Sequence, residues 1–452
     1  MTPTAILEEI KKNEFNKIKI AFTDIDGILR GKIILKDKFF EIVEGSIGFC
    51  NVIFGWDSSD VCYDNVEITG WHSGYPDAPG LIDLSTYRQI PWENNLPFFL
   101  GDFGDGKDDG LASCSRTLLK KINKECTSMG YLPIFSQEFE WFNFNEKPGT
   151  LEQKDFRGIE YLTPGMFGYS ILRSSLNSGY FQDLFDMLHA FNIPLEGLHT
   201  ETGPGVYEGA IRYDSVLNAA DKAVIFKTAV KEIAYRHNIM ASFMAKWNKN
   251  LPGCSGHIHQ SLWDPEQKEN LFHSESDKDK MSDIFKSYIA GQLYCLPYII
   301  PMFAPTINSY KRLIEGAWAP TTITWGIDNR TTALRVINVS KKYTRLETRV
   351  PGSDTNPYLA MAAALASGLY GIKNKLQLSL KPTQGNGYKD KGLGTIPSDL
   401  MEATIAMRNS PVARELFGDA FVNHFTATRE WEWRQFNKEV TDWELKRYFE
   451  II

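Results

Sequence analysis

Residues 133–142 read PIFSQEFEWF. Polar and apolar residues alternate, which is the period of a strand with one buried face. Phe139 and Trp141 fall on the face that anchors such a strand in a core, and Glu138 and Glu140 fall together on the other. Two neighbouring carboxylates repel unless cations lie between them. Taken alone the pair reads as a solvated strand face. Three further segments change that reading. In HTETGPGVYEGAI (199–211) a Gly-Pro-Gly turn brings Glu201 towards Glu208. In GCSGHIHQSL (253–262) His257, His259 and Ser261 share one strand face and Ile258, Gln260 and Leu262 the other. In YTRLETRVP (343–351) Arg345, Glu347 and Arg349 share a face. Five glutamates (138, 140, 201, 208 and 347) with two histidines suit hard divalent cations.

Arginines add the opposite charge. Arg312, Arg330, Arg335, Arg345 and Arg349 crowd one apolar-flanked stretch. Arginine in apolar surroundings grips carboxylate or phosphate through a bidentate fork. No glycine-rich Walker A loop is present, so phosphates would be held by metals and arginines. An acid-rich metal site beside an arginine-rich anion site suits phosphoryl transfer onto a carboxylate, and leaves the substrate open.

The rest of the chain sets the frame. Its 452 residues are enough for two or three domains. A net charge of −7 excludes a broad nucleic-acid or anionic-membrane footprint. The polar N-terminus has no signal-peptide core, and no segment is long and apolar enough to span a bilayer. Six cysteines without a CxxC pair argue against structural zinc and against a disulfide framework, which fits a cytoplasmic protein. The first hundred residues read as strand and turn, with Asp26-Gly27 a hairpin signal. The Gly/Asp-rich run 101–110 is the candidate boundary between a domain of residues 1–107 and one of 108–452. Phe226, Val230, Ile233 and Ala234 mark one helix, residues 359–372 a second and buried one, residues 375–395 a loop, and the C-terminal part returns to helix.

These segments resemble the type I glutamine synthetases, in the same order, from about residue 15 to the end. NSYKRL (308–313), NRTTALRV (329–336) and the run from Arg345 to Ile372 carry the likeness most clearly. The resemblance implies an α+β chain with a small β-grasp-like N-terminal domain and a larger catalytic domain. It also implies two or more Mg²⁺ or Mn²⁺ ions per site, ATP as co-substrate, and a γ-glutamyl phosphate intermediate. Glu140, Glu201 and Glu208 match the ligands of a first metal, and Glu138, His257 and Glu347 those of a second. His259, Ser261, Arg335, Lys342 and Arg345 match positions that hold ATP phosphates and ribose, and Glu196 and Tyr213 lie near the nucleotide. Arg312 and Arg349 match arginines on glutamate or its phosphorylated form, and Arg330 one that acts on the transferred phosphoryl group. Such proteins form closed rings with shared active sites, so a homo-oligomer, a dodecamer, is expected.

The departures concern the acceptor. The flap P-G-x-E-A-P reads EGAWAP here, with Trp318 where the ammonium-binding Glu stands and Glu315 three residues earlier. The Asn that contacts the glutamate amino end is replaced by Pro252, while Gly253 remains. Val206 replaces a Gln, and the D-G-S-S loop reads FGWDSSD, with Asp57 as the match for the carboxylate given to a neighbour's site. These departures resemble γ-glutamyl-amine synthetases, which act on polyamines or alkylamines; SGHIHQSLW and GYPDAPGLIDLST are shared in kind. The expected activity is a ligase joining glutamate to an organic amine. The alternatives are ammonia-using glutamine synthetase and a catalytically silent, lengsin-like relative.

Overall fold

The computed structural model describes residues 1–104 and 110–452. The expected boundary at 107/108 lies outside the described residues. N-terminal to it, strands β1 (Lys17–Thr23), β2 (Leu29–Leu35), β3 (Ile47–Cys50), β4 (Asp77–Ile82), β5 (Arg88–Ile90) and β6 (Leu96–Phe103) form one sheet. Its order is β2-β1-β6-β4-β3, with β5 on β6. Helix Pro3–Lys12 starts on Thr2, whose hydroxyl accepts from the Ala5 amide, with Pro3 in the first turn where no amide is needed. Its Ile6 and Ile10 join Phe22, Phe39, Phe99 and Phe103 in the small domain's own core.

The β1–β2 hairpin turns where Asp26-Gly27 signalled it. Gly27 has φ +83°, and Asp24 Oδ1 accepts from the Asp26 and Ile28 amides at 3.0 and 2.9 Å. The tip is also a docking point. Asp26 pairs with the buried Arg429 at 2.6 Å, and the Asn356 side-chain amide donates to the Ile25 carbonyl at 3.1 Å. The hairpin thus ties the small sheet to two distant parts of the large domain.

The large domain is built on β7 (Leu132–Phe144), β8 (Leu195–Thr200), β9 (Val206–Ile211), β10 (Asp214–Ser215), β11 (Met240–Ser242), β12 (Gly256–Trp263), β13 (Trp325–Ile327), β14 (Leu334–Ile337) and β15 (Arg345–Thr348). The main order is β13-β14-β15-β12-β7-β9-β8. One face packs on helices and the other carries the polar row. Helix Val216–Arg236 includes the expected stripe, with Phe226 against Phe139 and Trp141 of β7. The buried helix runs Pro357–Lys373 and is nearly all apolar or small. It crosses helix Asp283–Cys295 so closely that a Cβ on Gly371 would lie 2.0 Å from the Ser287 carbonyl. Only glycine fits there. Residues 375–395 are a loop apart from a short turn of 3₁₀ helix at Gly387–Lys389. Helix Asp442–Tyr448 forms part of the helical C-terminal region. None of the described helices is long and apolar enough to cross a membrane.

Candidate active site

Strand register assembles the polar row. His257 pairs with Glu138 across β12 and β7, Glu140 with Glu208 across β7 and β9, and Glu208 with His199 across β9 and β8. On the other side His259 pairs with Glu347, and Glu347 with Arg335. Residues directly opposite in a sheet point to the same face. Local spacing of two and this register therefore put acids from segments far apart in sequence onto one surface. The opposite faces of the same strands supply Phe139, Trp141, Ile258 and Leu262, all buried.

Above this face lies a cavity of about 800 Å³. Every sequence-derived site residue except Asp57 lines it, including Pro252, Gly253 and Trp318. Asp57 sits in the small domain, where its carboxylate accepts from the Trp431 indole at 2.9 Å and from the Ser59 and Val61 amides.

Two groups of ligand atoms lie close enough to share a cation: Glu138, His259 and Glu347, and His199, Glu201 and Glu208. The grouping differs in detail from the sets read from sequence. His259 Nε2 lies 3.3 Å from Glu138, whereas His257 faces Glu347 through Nδ1 at 3.3 Å and has a buried Nε2 without a partner among the described residues. Glu140 accepts from the Ser255 amide at 2.6 Å. His199 escaped the sequence reading, although it stands two residues before Glu201 on the same strand. The spacing that paired Glu138 with Glu140 points to it equally. Tyr169, stacked on His199 at 4.6 Å, lies in a loop and has no periodic signal.

The carboxylates are not in equivalent states. Burial together with Glu138 and Glu140 pushes Glu208 up to about 9, and burial raises Glu140 as well. Glu347 is also buried, but Arg349 and its neighbours outweigh burial and hold it well below the usual range. Burial is likewise outweighed at Glu138 and Glu201 by their histidine partners, and both are lowered. His199 is disfavoured by burial as a cation, yet hydrogen bonds to Glu201 and Glu208 push it up to about 10. Glu140 and Glu208 are thus the raised acids of the row, and divalent metal would ionise them. Oxygen-rich donors with histidine, and a buried imidazole nitrogen without a partner, fit Mg²⁺ or Mn²⁺.

The arginines divide by what they already hold. Arg335 donates to Glu347 at 2.8 Å and to Asp328. Arg349 donates to Glu347, to the Arg330 carbonyl at 3.1 Å and to the Trp318 carbonyl at 3.4 Å. Arg312 is spent on the Val350 and Arg349 carbonyls. Arg345 donates to His259 Nδ1 at 3.2 Å. Ser261 accepts from the Trp263 indole at 2.9 Å. Arg330 is different: its guanidinium lines the cavity and has no hydrogen-bond or ion-pair partner among the described residues. With Lys342, which lines the same cavity over the Tyr343 ring, it is a cation left for a ligand.

Comparison with known proteins agrees. Residues 112–448 match the glutamine synthetase catalytic domain family. The chain is 54% identical to type-1 glutamine synthetase 2 of Dictyostelium discoideum, over 99% of this chain and 86% of that one. It is 36% identical to glutamate–isopropylamine ligase of a Pseudomonas species, over 98% and 97%. It is 32% identical to gamma-glutamylethanolamide synthetase GlnA4 of Streptomyces coelicolor, over 99% and 96%. A solved structure of GmaS with ADP superposes with a TM-score of 0.85 at 24% identity, covering 98% of this chain and 99% of that one, which supports the fold. The chain belongs to the glutamine synthetase family and is an ATP-dependent carbon–nitrogen ligase.

Proposed function

We propose that this ligase joins the γ-carboxyl of glutamate to an organic amine. A γ-carboxylate oxygen attacks the terminal phosphorus of ATP and ADP leaves. The amine nitrogen then attacks the γ-carbonyl carbon of the acyl phosphate, phosphate leaves, and a nitrogen-bound proton is lost. Glu140, Glu201 and Glu208, with Glu138, His257 and Glu347, would hold Mg²⁺ or Mn²⁺, whose contribution when bound is to orient and neutralise the phosphates. Glu196, Tyr213, His259, Ser261, Arg335, Lys342 and Arg345 take the nucleotide side. Arg312 and Arg349 shape the glutamate end with Gly253, and Arg330 meets the phosphoryl group. Subunits assemble into a closed ring, in which Asp57 serves a neighbour's site, and the enzyme works in the cytoplasm.

The observation that carries this reading is Trp318. It lines the cavity at the flap position, 63% exposed, beside a full set of acids. An indole has no basic atom for ammonium, but its face attracts organic cations by roughly 0.5–2 kcal/mol and packs on carbon. The relatives named as a glutamate–isopropylamine ligase and a gamma-glutamylethanolamide synthetase support an organic acceptor. The name of the 54%-identical relative favours a second reading, ammonia-using glutamine synthetase. ADP release with glutamate, Mn²⁺ or Mg²⁺ and a panel of amines tests both. Turnover of an organic amine well above ammonia is expected. Efficient glutamine formation with no organic amine used would establish the second reading, and no turnover with any acceptor a silent relative.

A further inference from the structure

A second cavity, of about 230 Å³, lies between the small sheet and helix Val216–Arg236 of the large domain. It shares no lining residue with the active-site cavity. The helix stands between the two. Its Phe226 packs on Phe139 and Trp141 behind the acid row, whereas Ile225, Thr228, Ala229 and Glu232, at helical spacing, face the small sheet. The walls are apolar: Ile20, Ile90, Phe98, Phe191, Ile225 and Ala229 line the cavity and all are buried. Gly31, Lys32 and Ile33 of the edge strand β2 form an exposed rim, so the cavity opens to solvent.

Three charged residues line this cavity, and two of them are already engaged. Lys19 is bonded to Glu93. The Lys32 ammonium lies 4.7 Å from the centre of the Phe49 ring. Glu232 has no ion pair among the described residues. Its Oε2 accepts from the Trp92 indole at 2.8 Å, and this is its one hydrogen bond among them. Trp92 in turn packs edge-on against Phe191, with ring centres 5.1 Å apart. The carboxylate is thus held by one oxygen at the end of an aromatic wall. Burial raises its pKa and Glu93 adds to this, while Trp92 and Lys19 offset part of the rise. A cation beside it would relieve that penalty.

We propose that this cavity is a second binding site, for a short alkylammonium ion whose chain enters the apolar walls and whose ammonium meets Glu232. An apolar cavity of about 150 Å³ holds one benzene, so this one takes a chain of about four to six carbons. A carboxylate-headed ligand would meet two lysines that are already engaged and an acid that repels it. A neutral ligand would leave Glu232 buried without a counter-charge. The bound ion joins the small sheet to the helix that backs the acid row, and so acts on the contact between the domains. The site lies outside the reaction proposed above and does not depend on which amine the active site uses.

The probe is isopentylammonium chloride, titrated calorimetrically into the full-length enzyme without glutamate or nucleotide. A Kd on the order of 1 mM is expected for a ligand of this size. 3-Methylbutan-1-ol has the same chain and no charge, and should bind about tenfold more weakly, as should isovalerate. Glu232→Gln should weaken binding of the ammonium ion by a similar factor, and Ala229→Leu, which fills the cavity, by more. In the wild type the ion should slow hydrogen exchange in β1, β2 and helix Val216–Arg236, a measurement that needs no variant. Undiminished binding in either folded variant places the ion elsewhere and overturns the site. Isovalerate binding as tightly as the ammonium ion overturns the role of Glu232. Absence of binding, or unchanged exchange in those three elements, overturns the proposal outright.

Discussion

Replacing Glu208 by Gln should stabilise the metal-free protein above neutral pH and blunt its response to divalent cations. Glu208 is 8% exposed and rises from an ordinary 4.5 up to about 9, through burial and then through Glu138 and Glu140. Between those values the folded protein holds a proton that the unfolded chain has lost, so stability falls as pH rises through this window. Each pH unit costs about 1.4 kcal/mol for a whole proton, which amounts to about 3 kcal/mol between pH 4.5 and pH 7. Glu138, Glu140 and His199 share the titration, so a gain of about 1–3 kcal/mol is expected from an uncharged amide at this position. His199, raised from 6.5 to about 10 by Glu201 and Glu208, adds a falling slope of the same sign, of which the part due to Glu201 remains in the variant. The slope should therefore shrink without vanishing. The assay is urea unfolding at pH 6, 7.5 and 8.5 in chelator, repeated with Mn²⁺. The wild type should be the less stable of the two in chelator at pH 8.5 and should gain more from Mn²⁺. A variant with the wild-type pH slope, or with the same Mn²⁺-induced shift, would refute the claim that Glu208 is the strained acid of the row.

Glu140→Ala should abolish ATP turnover with the fold retained, as read from ADP release and circular dichroism. Glu347→Ala should also abolish turnover, and in addition lose about 3–5 kcal/mol in urea unfolding, because it leaves the buried Arg349 without its carboxylate. Arg330→Lys should lower kcat on the order of a hundredfold while KM for ATP holds, since an ammonium point charge cannot replace a planar fork aimed at developing phosphoryl charge; wild-type kcat would remove Arg330 from the chemical step. Trp318→Glu should raise kcat/KM for ammonia relative to the organic amine, and only weakly while Pro252 stays.

The strands were legible because period two and burial agree. Phe139, Trp141, Ile258 and Leu262 had to face a core, and this fixed where Glu138, Glu140, His257 and His259 point. The pairing of β12 with β7 and of β7 with β9 was less accessible. Register depends on contacts between segments far apart in the chain, such as Glu140 with Glu208 and His257 with Glu138, which spacing within one segment does not encode. His199 was missed although its spacing was available. Tyr169 lies in irregular backbone, where a side chain's direction follows from tertiary contacts alone. The ion pairs of Glu347 with Arg335 and Arg349 show another gap. Spacing put Arg349 on the same face as Glu347, but its three acceptors could not be read from it.

On the proposed function, acceptor choice and ligase chemistry occupy different kinds of structure in this molecule. The acids and histidines stand mainly on adjacent strands, where register holds each side chain against the next and one altered residue disturbs several neighbours. Glu208 alone is influenced by Glu138, Glu140 and His199. The residues where the chain departs from the family's synthetases, Trp318 at the proposed acceptor flap and Pro252 at the proposed glutamate end, lie outside regular secondary structure. A change there exchanges a charge or a surface without moving the sheet. The flap fits this condition: the Trp318 carbonyl accepts from Arg349 at 3.4 Å, so the contact is made by the main chain and the side chain can differ. A protein 54% identical along nearly the whole chain can therefore share the complete acid row and still differ in the amine it takes. On the proposed function, the identity of residue 318 bears on the acceptor more directly than overall similarity does.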